Sequence, residues 1–249
     1  MSISRFTYSR ILGTVRGTDY AHPGEAEGID CVLRHLNAIS TQTVLDVGCG
    51  LGGTAGYVTE AGYGKVLGID PDAQSIAHAT KHHPSAEYRI MSAEEVRALG
   101  RTFDVVLLMN VAYLCEDKES LFAALATVAH PGTHLVISDF FDHDSSGERI
   151  SIDGSPTIPW PLVPSEFPAH LQATGWRLNT IQDLSANYAR WYTAFVERIV
   201  SRRSDILDCA DEDAYKYVLT KYSLVRDVII DRRLGGGIAS LILAPAQAG

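Results

Sequence analysis

Residues 44–53 read Val-Leu-Asp-Val-Gly-Cys-Gly-Leu-Gly-Gly, an apolar run that enters a glycine-rich turn and opens into a helical stretch. Glycine is needed in such a turn where the backbone takes conformations costly to other residues, and where a side chain would block a ligand's approach to the main chain. Strand, glycine turn and helix in that order open the nucleotide- and nucleoside-binding sheets of α/β proteins. Asp70 closes the next apolar run, roughly 20 residues on, where a carboxylate takes both hydroxyls of a ribose. Dinucleotide enzymes share that acid, but they use G-x-G-x-x-G spacing to seat a pyrophosphate on the helix N-terminus. Here the spacing is D-x-G-x-G-x-G. Asp46 repels a pyrophosphate and suits a ligand with an ammonium end.

Beyond the turn, β-branched runs at 43–47, 65–70, 87–91, 103–109 and 133–139 alternate with helical stretches at 53–61, 73–82, 93–99 and 118–129, the last stopped by Pro131-Gly132. Alternation of this kind predicts a parallel sheet with helices on both faces. Residues 140–164, rich in Asp, Ser, Gly and Pro, predict a loop insertion. A helix over 165–174 follows, with Ser165 as N-cap and Gly175 as its stop, and then a strand over 176–184. Helical periodicity over 185–231, broken near 205–213, predicts a small cap, and 236–243 predicts a final strand. The expected architecture is a Rossmann-like α/β sheet, mostly parallel with an antiparallel last strand, and a helical cap inserted between the last two strands. It divides into a helical arm at 1–40, a core at 41–184, the cap at 185–235, and a final strand and tail at 236–249. The cap stands above the sheet's carboxyl edge, where open α/β sheets bind ligands, so it is expected to choose the substrate.

With 30 acidic against 21 basic side chains the net charge of −9 opposes phosphate backbones, which excludes nucleic acid as the expected partner. Met1–Arg10 has no apolar leader, and no apolar run approaches the roughly 20 residues that span a bilayer. A cytoplasmic protein, a monomer or homodimer, is expected. Cys31, Cys49, Cys115 and Cys209 are far apart and read as small buried hydrophobes, and His82-His83 as a solvated helix end, so no metal is expected.

Residues 44–53 and 68–70 resemble motifs I and II of class I S-adenosylmethionine-dependent methyltransferases. Gly17-Thr18-Asp19-Tyr20-Ala21-His22-Pro23-Gly24 is similar to the segment that closes over the cofactor in the phosphoethanolamine, sarcosine/dimethylglycine and tocopherol methyltransferase group. Phe103-Asp104 and Ile181-Gln182-Asp183-Leu184-Ser185 resemble the same group. The resemblance implies S-adenosylmethionine as cofactor, with S-adenosylhomocysteine as product. It puts Asp46, Gly48 and Gly50 around the methionine part, Asp70 on the ribose, and Pro71 and Asp72 beside the adenine. Ser92, Ala93 and Glu94 flank the adenine amino group, with Ser92 standing where the family usually has Asp. Asn110 and Val111 line the transfer site, and Tyr20 and His22 cover the cofactor from the arm.

The Arg-Asp pair and downstream His that phosphoethanolamine enzymes carry after strand four are replaced by Met109, Asn110 and Leu114. These neutral residues favour a less charged, aromatic or heterocyclic small-molecule acceptor. Methyl transfer depends mostly on holding the nucleophile close and aligned, with a base only where a proton must leave. The candidate catalytic groups are His143 first, then Asp139 and Tyr20, with His22 and Tyr8 beside them. Tyr8, His22, Tyr113, Phe141, Trp160 and Trp191 are the candidate substrate contacts, while Arg190 and Arg226 offer anchors for a carboxylate. By analogy with the subgroup, N-methylation comes ahead of O- and C-methylation. A cyclisation or pericyclic rearrangement on the same fold, without methyl transfer, and a non-catalytic cofactor sensor are the competing readings.

Overall fold

The computed structural model describes residues 4–36, 42–147, 149–152 and 155–245. The parts of the expected arm, core, insertion and tail that fall on 1–3, 37–41, 148, 153–154 and 246–249 lie outside the described residues. The chain begins with α1 (Arg5–Arg16) and α2 (Glu25–Leu33). The core follows as β1 (Thr43–Val47), α3 (Gly53–Glu60), β2 (Lys65–Asp70), α4 (Ala73–His82), β3 (Glu87–Ile90), β4 (Phe103–Met109), α5 (Lys118–Ala126) and β5 (Ala129–Phe141). Then come a small hairpin, β6 (Ile150–Ile152) and β7 (Ser155–Ile158), α6 (Phe167–Leu171) and β8 (Trp176–Asp183). Three helices, α7 (Ser185–Ser201), α8 (Arg203–Leu207) and α9 (Glu212–Ile230), precede the last strand, β9 (Gly235–Leu243).

Seven strands form one sheet in the order β3-β2-β1-β4-β5-β9-β8. Strands β1 to β5 pair in parallel, and β9 runs antiparallel to both β5 and β8. The sheet is therefore mostly parallel with an antiparallel last strand, and α7–α9 connect its last two strands in chain order. The core strands are buried on both faces, which is why they read as continuous Val/Leu/Ile runs. One apolar cluster joins Val44, Leu107 and Val136 to α1, α2, α7 and α9. The other joins Leu45, Leu108 and Ile137 to α5 and α6.

Three expectations are corrected. Pro131-Gly132 does not stop a helix: α5 ends at Ala126, and β5 starts at Ala129 and carries the pair as an irregularity opposite Phe103 and Val105. Thr133 Oγ1 closes it, accepting from the His130 amide at 2.9 Å and donating to the Phe103 carbonyl at 2.7 Å. Residues 140–164 are not simply a loop, because Phe140 and Phe141 extend β5 against Gly236 and Gly235, and the β6–β7 hairpin follows. Ser165 is no N-cap either, since a short turn, Pro164–Glu166, precedes α6 and the Ser165 hydroxyl meets that of Ser145 at 2.9 Å. Among the described residues no helix is long and apolar enough to cross a membrane.

Candidate active site

The end of β1 feeds the glycine turn. Its amides are tied to β2, with Gly48 and Cys49 donating to the Ile69 carbonyl at 2.8 and 3.0 Å. The Gly50 amide donates to Asp70 Oδ2 at 3.1 Å. Gly48 is packed so closely that an added Cβ would lie 2.6 Å from Val111 Cγ2. Gly50 differs: its φ of +52° favours glycine, and nothing stands within 4 Å of the space above it. The turn thus presents open space over bare backbone, bounded on one side by the segment after β4.

Two carboxylates face that space. Asp46 is 1% exposed and its Oδ2 has no hydrogen-bond partner. Burial, with the Asp70 charge as a second cause, pushes its carboxyl up to about 7. A buried carboxylate oxygen without a partner is costly unless a ligand supplies a cation or donor. Asp70 receives the amides of Gly50 and of Asp72, the latter at 2.9 Å on Oδ1. Its carboxyl stands above the usual range because burial outweighs those amide bonds. Beside them Asn110 has φ +61°, its amide held by the Ser138 carbonyl at 2.7 Å, and its buried Oδ1 also has no partner. Such a conformation outside glycine is a recurrent mark of functional sites. An unpartnered carboxylate oxygen, an unpartnered amide oxygen and a bare glycine turn fit S-adenosylmethionine. They offer acceptors for its ammonium group, with Asp70 tied to the same turn through the Gly50 amide.

The remaining cofactor candidates share the sheet's carboxyl edge. Met91 donates its amide to the Asp70 carbonyl at 3.1 Å, which carries Ser92, Ala93 and Glu94 alongside Asp70 and the exposed Pro71. The Ser92 amide donates to Glu95 Oε2 at 2.9 Å, so Ser92 opens the short helix Ala93–Leu99. From the arm, Tyr20 lies between the rings of His22 and Tyr57 at centroid distances of 5.6 and 6.3 Å. His22 is buried, its Nε2 3.1 Å from Thr54 Oγ1 and its Nδ1 3.1 Å from the Pro23 carbonyl, and burial lowers its imidazole to about 4.

The structure groups the candidate substrate contacts differently from the sequence. A chain of rings runs from Tyr113 to Phe140 (5.2 Å, edge-on), to Tyr192 (5.9 Å) and to Tyr222 (5.9 Å). Tyr8 closes it from α1, its hydroxyl 2.8 Å from that of Tyr222. Tyr8 and Tyr113 keep some exposed surface, whereas Phe140, Tyr192 and Tyr222 are buried. Burial raises the hydroxyls of Tyr8, Tyr113 and Tyr222, so these walls are neutral.

Other candidates lie elsewhere. Phe141 packs on the opposite face of the sheet, against Phe167 and His143, because neighbouring strand residues point to opposite faces. His143 sits 3.3 Å from Asp183 at the β8–α7 junction. Asp139 is fully buried beneath the short helix Ala112–Leu114, accepting the amides of Tyr113 at 3.2 Å and Phe140 at 2.7 Å. Burial raises its carboxyl to about 7 against those amide bonds. Trp160 donates its amide to the Tyr113 carbonyl at 3.2 Å, and its indole Nε1 is buried without a partner. Trp191 donates its Nε1 to Glu27 at 3.0 Å and covers Gly24, which places it between the arm and α7. Arg190 pairs with Glu27 and Arg226 with Asp227, each at 2.7 Å, so the proposed anchors are held in ion pairs. Arg5 is the residue that sequence reasoning missed. No local signal marked Arg5, the first residue of α1, whose charge acts on both Asp70 and Tyr113.

Comparison with known proteins follows the same geometry. A methyltransferase domain family matches residues 45–137, the stretch from β1 to within β5. A ubiquinone biosynthesis O-methyltransferase from Bradyrhizobium sp. (strain ORS 278) is 38% identical over 109 residues, 42% of this chain and 42% of the relative. The chain thus spans about two fifths of the length of that curated relative. Among solved structures, Haemonchus contortus phosphoethanolamine N-methyltransferase 2 superposes with a TM-score of 0.80 at 16% identity, covering 97% of this chain and 58% of that one. A (4+2)-cyclase superposes with a TM-score of 0.77 at 18% identity, covering 97% and 94%. Residues 45–137, which hold the glycine turn and Asp70, thus match a methyltransferase domain family, and the fold of the described chain is that of these solved structures.

Proposed function

We propose that the chain transfers the methyl group of S-adenosylmethionine to a nitrogen of a small, planar, weakly charged acceptor. The observation that carries the donor half is the buried, unpartnered Asp46 oxygen beside the open space over Gly50. When bound, the cofactor supplies an electrophilic methyl group on a sulfonium. Asp46 and Asn110 hold its amino-acid end, Asp70 its ribose, Pro71 and Ser92 to Glu94 its adenine edge, and Tyr20 and His22 cover it. The neutral rings of Tyr8 and Tyr113, backed by the buried Phe140, orient a flat acceptor and suit a positive sulfonium. Nitrogen is favoured because His143, Asp139 and His22 are all engaged with protein partners, and a neutral amine attacks without prior removal of a proton.

An oxygen acceptor is the second reading, supported by the name of the relative that matches 42% of the chain. Calorimetric titration with S-adenosylhomocysteine tests the donor half, and absence of binding overturns it. Incubation with radiolabelled methyl donor and a panel of aromatic amines and phenols tests the acceptor half. Label on nitrogen supports the proposal and label on oxygen the second reading, while turnover without label points to cyclisation.

A further inference from the structure

The loop between α1 and α2 crosses the start of α3 at backbone contact distance. A Cβ added to Gly53 would lie 2.7 Å from the carbonyl carbon of Asp19 and 2.9 Å from Tyr20 Cδ1. Gly53 directly follows the glycine turn, so this loop is the cover of that turn. Across the seam between α1 and α4 the Phe6 ring lies 6.3 Å from that of His78, and an open cavity of about 490 Å³ is lined by Arg10, Thr14, Tyr57 and Glu60 together with Asp19, His78 and His83 themselves.

Polar contacts also bridge the seam. Asp19 Oδ2 meets His78 Nε2 and His83 Nε2, each at 2.9 Å, from the body and the end of α4. The side chain of His78 is only 10% exposed, and His82 stacks on it at 4.2 Å. Burial acts to raise the Asp19 carboxyl, but the bonds from His83 and His78 outweigh it and hold the group below the usual carboxylate range. Asp19 is thus a carboxylate gripped by two imidazoles. Helix α4 starts at the Asp72 cap, two residues beyond Asp70, so the grip joins the covering loop to the helix that begins at the ribose edge.

We propose that Asp19, held by His78 and His83, is the positioning residue that clasps the α1–α2 loop over the glycine turn and sets how long the cofactor stays bound. The proposal rests on the reading of that turn as an S-adenosylmethionine site. His22 on Thr54 and Tyr20 against Tyr57 anchor the far part of the loop, and the imidazole–carboxylate contacts of Asp19 add the tie to α4. Closure over a bound ligand slows release more than entry, because interface changes act mainly on dissociation.

Stopped-flow binding of S-adenosylhomocysteine to the full chain tests this, with Asp19→Ala on one side of the clasp and His78→Ala/His83→Ala on the other. The expected result is release about tenfold faster in each, association within about twofold of the parent, and no further gain when the changes are combined. Hydrogen exchange of the ligand-free chain is the second readout, with faster exchange expected at the amides of residues 17–24. Unchanged release, or unchanged exchange of that loop in folded variants, overturns the clasp. If the parent chain binds no S-adenosylhomocysteine the cofactor reading falls, while the exchange measurement still decides whether Asp19 holds the loop.

Discussion

At Asp46 the proposed cofactor contact is also a determinant of stability. Its folded-state value of about 7 lies above the ordinary value near 4, so between those pH values the folded chain keeps a proton that the unfolded chain has lost. Stability of the ligand-free chain therefore falls as pH rises through that window, by up to about 1.4 kcal/mol per unit for this group. A cofactor ammonium group relieves the charge, so S-adenosylhomocysteine should raise the melting temperature more at pH 8 than at pH 6, as scanning fluorimetry would show. Asp46→Asn should flatten part of the pH slope and raise the ligand-free melting temperature at pH 8 by a few degrees. It should also weaken S-adenosylhomocysteine binding about 100-fold, measured by calorimetry. The residue type and its place at a strand end were readable from sequence. Its missing partner was not, because that depends on what β2 and β4 bring beside it.

Among elements, the segment after β4 depends on a lysine that no motif marked. Lys118, at the start of α5, is 5% exposed and donates to the carbonyls of Cys115 and Trp160, the latter at 3.0 Å. Its charge also acts on Asp139, which braces the same segment from below. Lys118→Ala should cost about 3 kcal/mol, because it leaves two carbonyls and a buried carboxylate without their cation. Lys118→Met should cost less at pH 6 than at pH 8, since Asp139, already raised to about 7, can take up a proton; thermal melts at the two pH values check both. The core strands were legible because both faces of a parallel sheet are apolar. The Pro131-Gly132 irregularity was not, because Thr133 closes it onto Phe103 in a neighbouring strand.

At the scale of the whole molecule, arm and cap form one roof. Glu25 pairs with Arg16 and Arg198, Glu27 with Arg190 and Trp191, and Arg202 donates to the Thr14 carbonyl at 2.8 Å. Arg16 is 7% exposed and lies 4.0 Å from the Phe195 ring centre, so it depends on Glu25 for a counter-charge. Glu25→Ala should destabilise the chain by about 3 kcal/mol, with Glu25→Gln milder, and should speed proteolysis within α1. Melting curves and timed digestion measure the two effects. A tie of this kind couples the element proposed to cover the cofactor to the one proposed to wall the acceptor side, so loss of Glu25 should be felt on both.

The local pattern by itself determined the sheet, the ends of β1, β2 and β4 and the acids of the proposed donor side, because strand periodicity, a glycine turn and an acid at the next strand end are written within short stretches of chain. The tertiary structure alone decided which aromatic side chains cluster on the proposed acceptor side. Tyr8, Tyr113, Phe140 and Tyr222 lie far apart in sequence and meet only through the packing of α1, β5 and α9. The same packing turned Phe141 away and gave His143 and Asp139 other partners. A contact between distant residues carries no local signature, so it becomes visible only when the chain is folded.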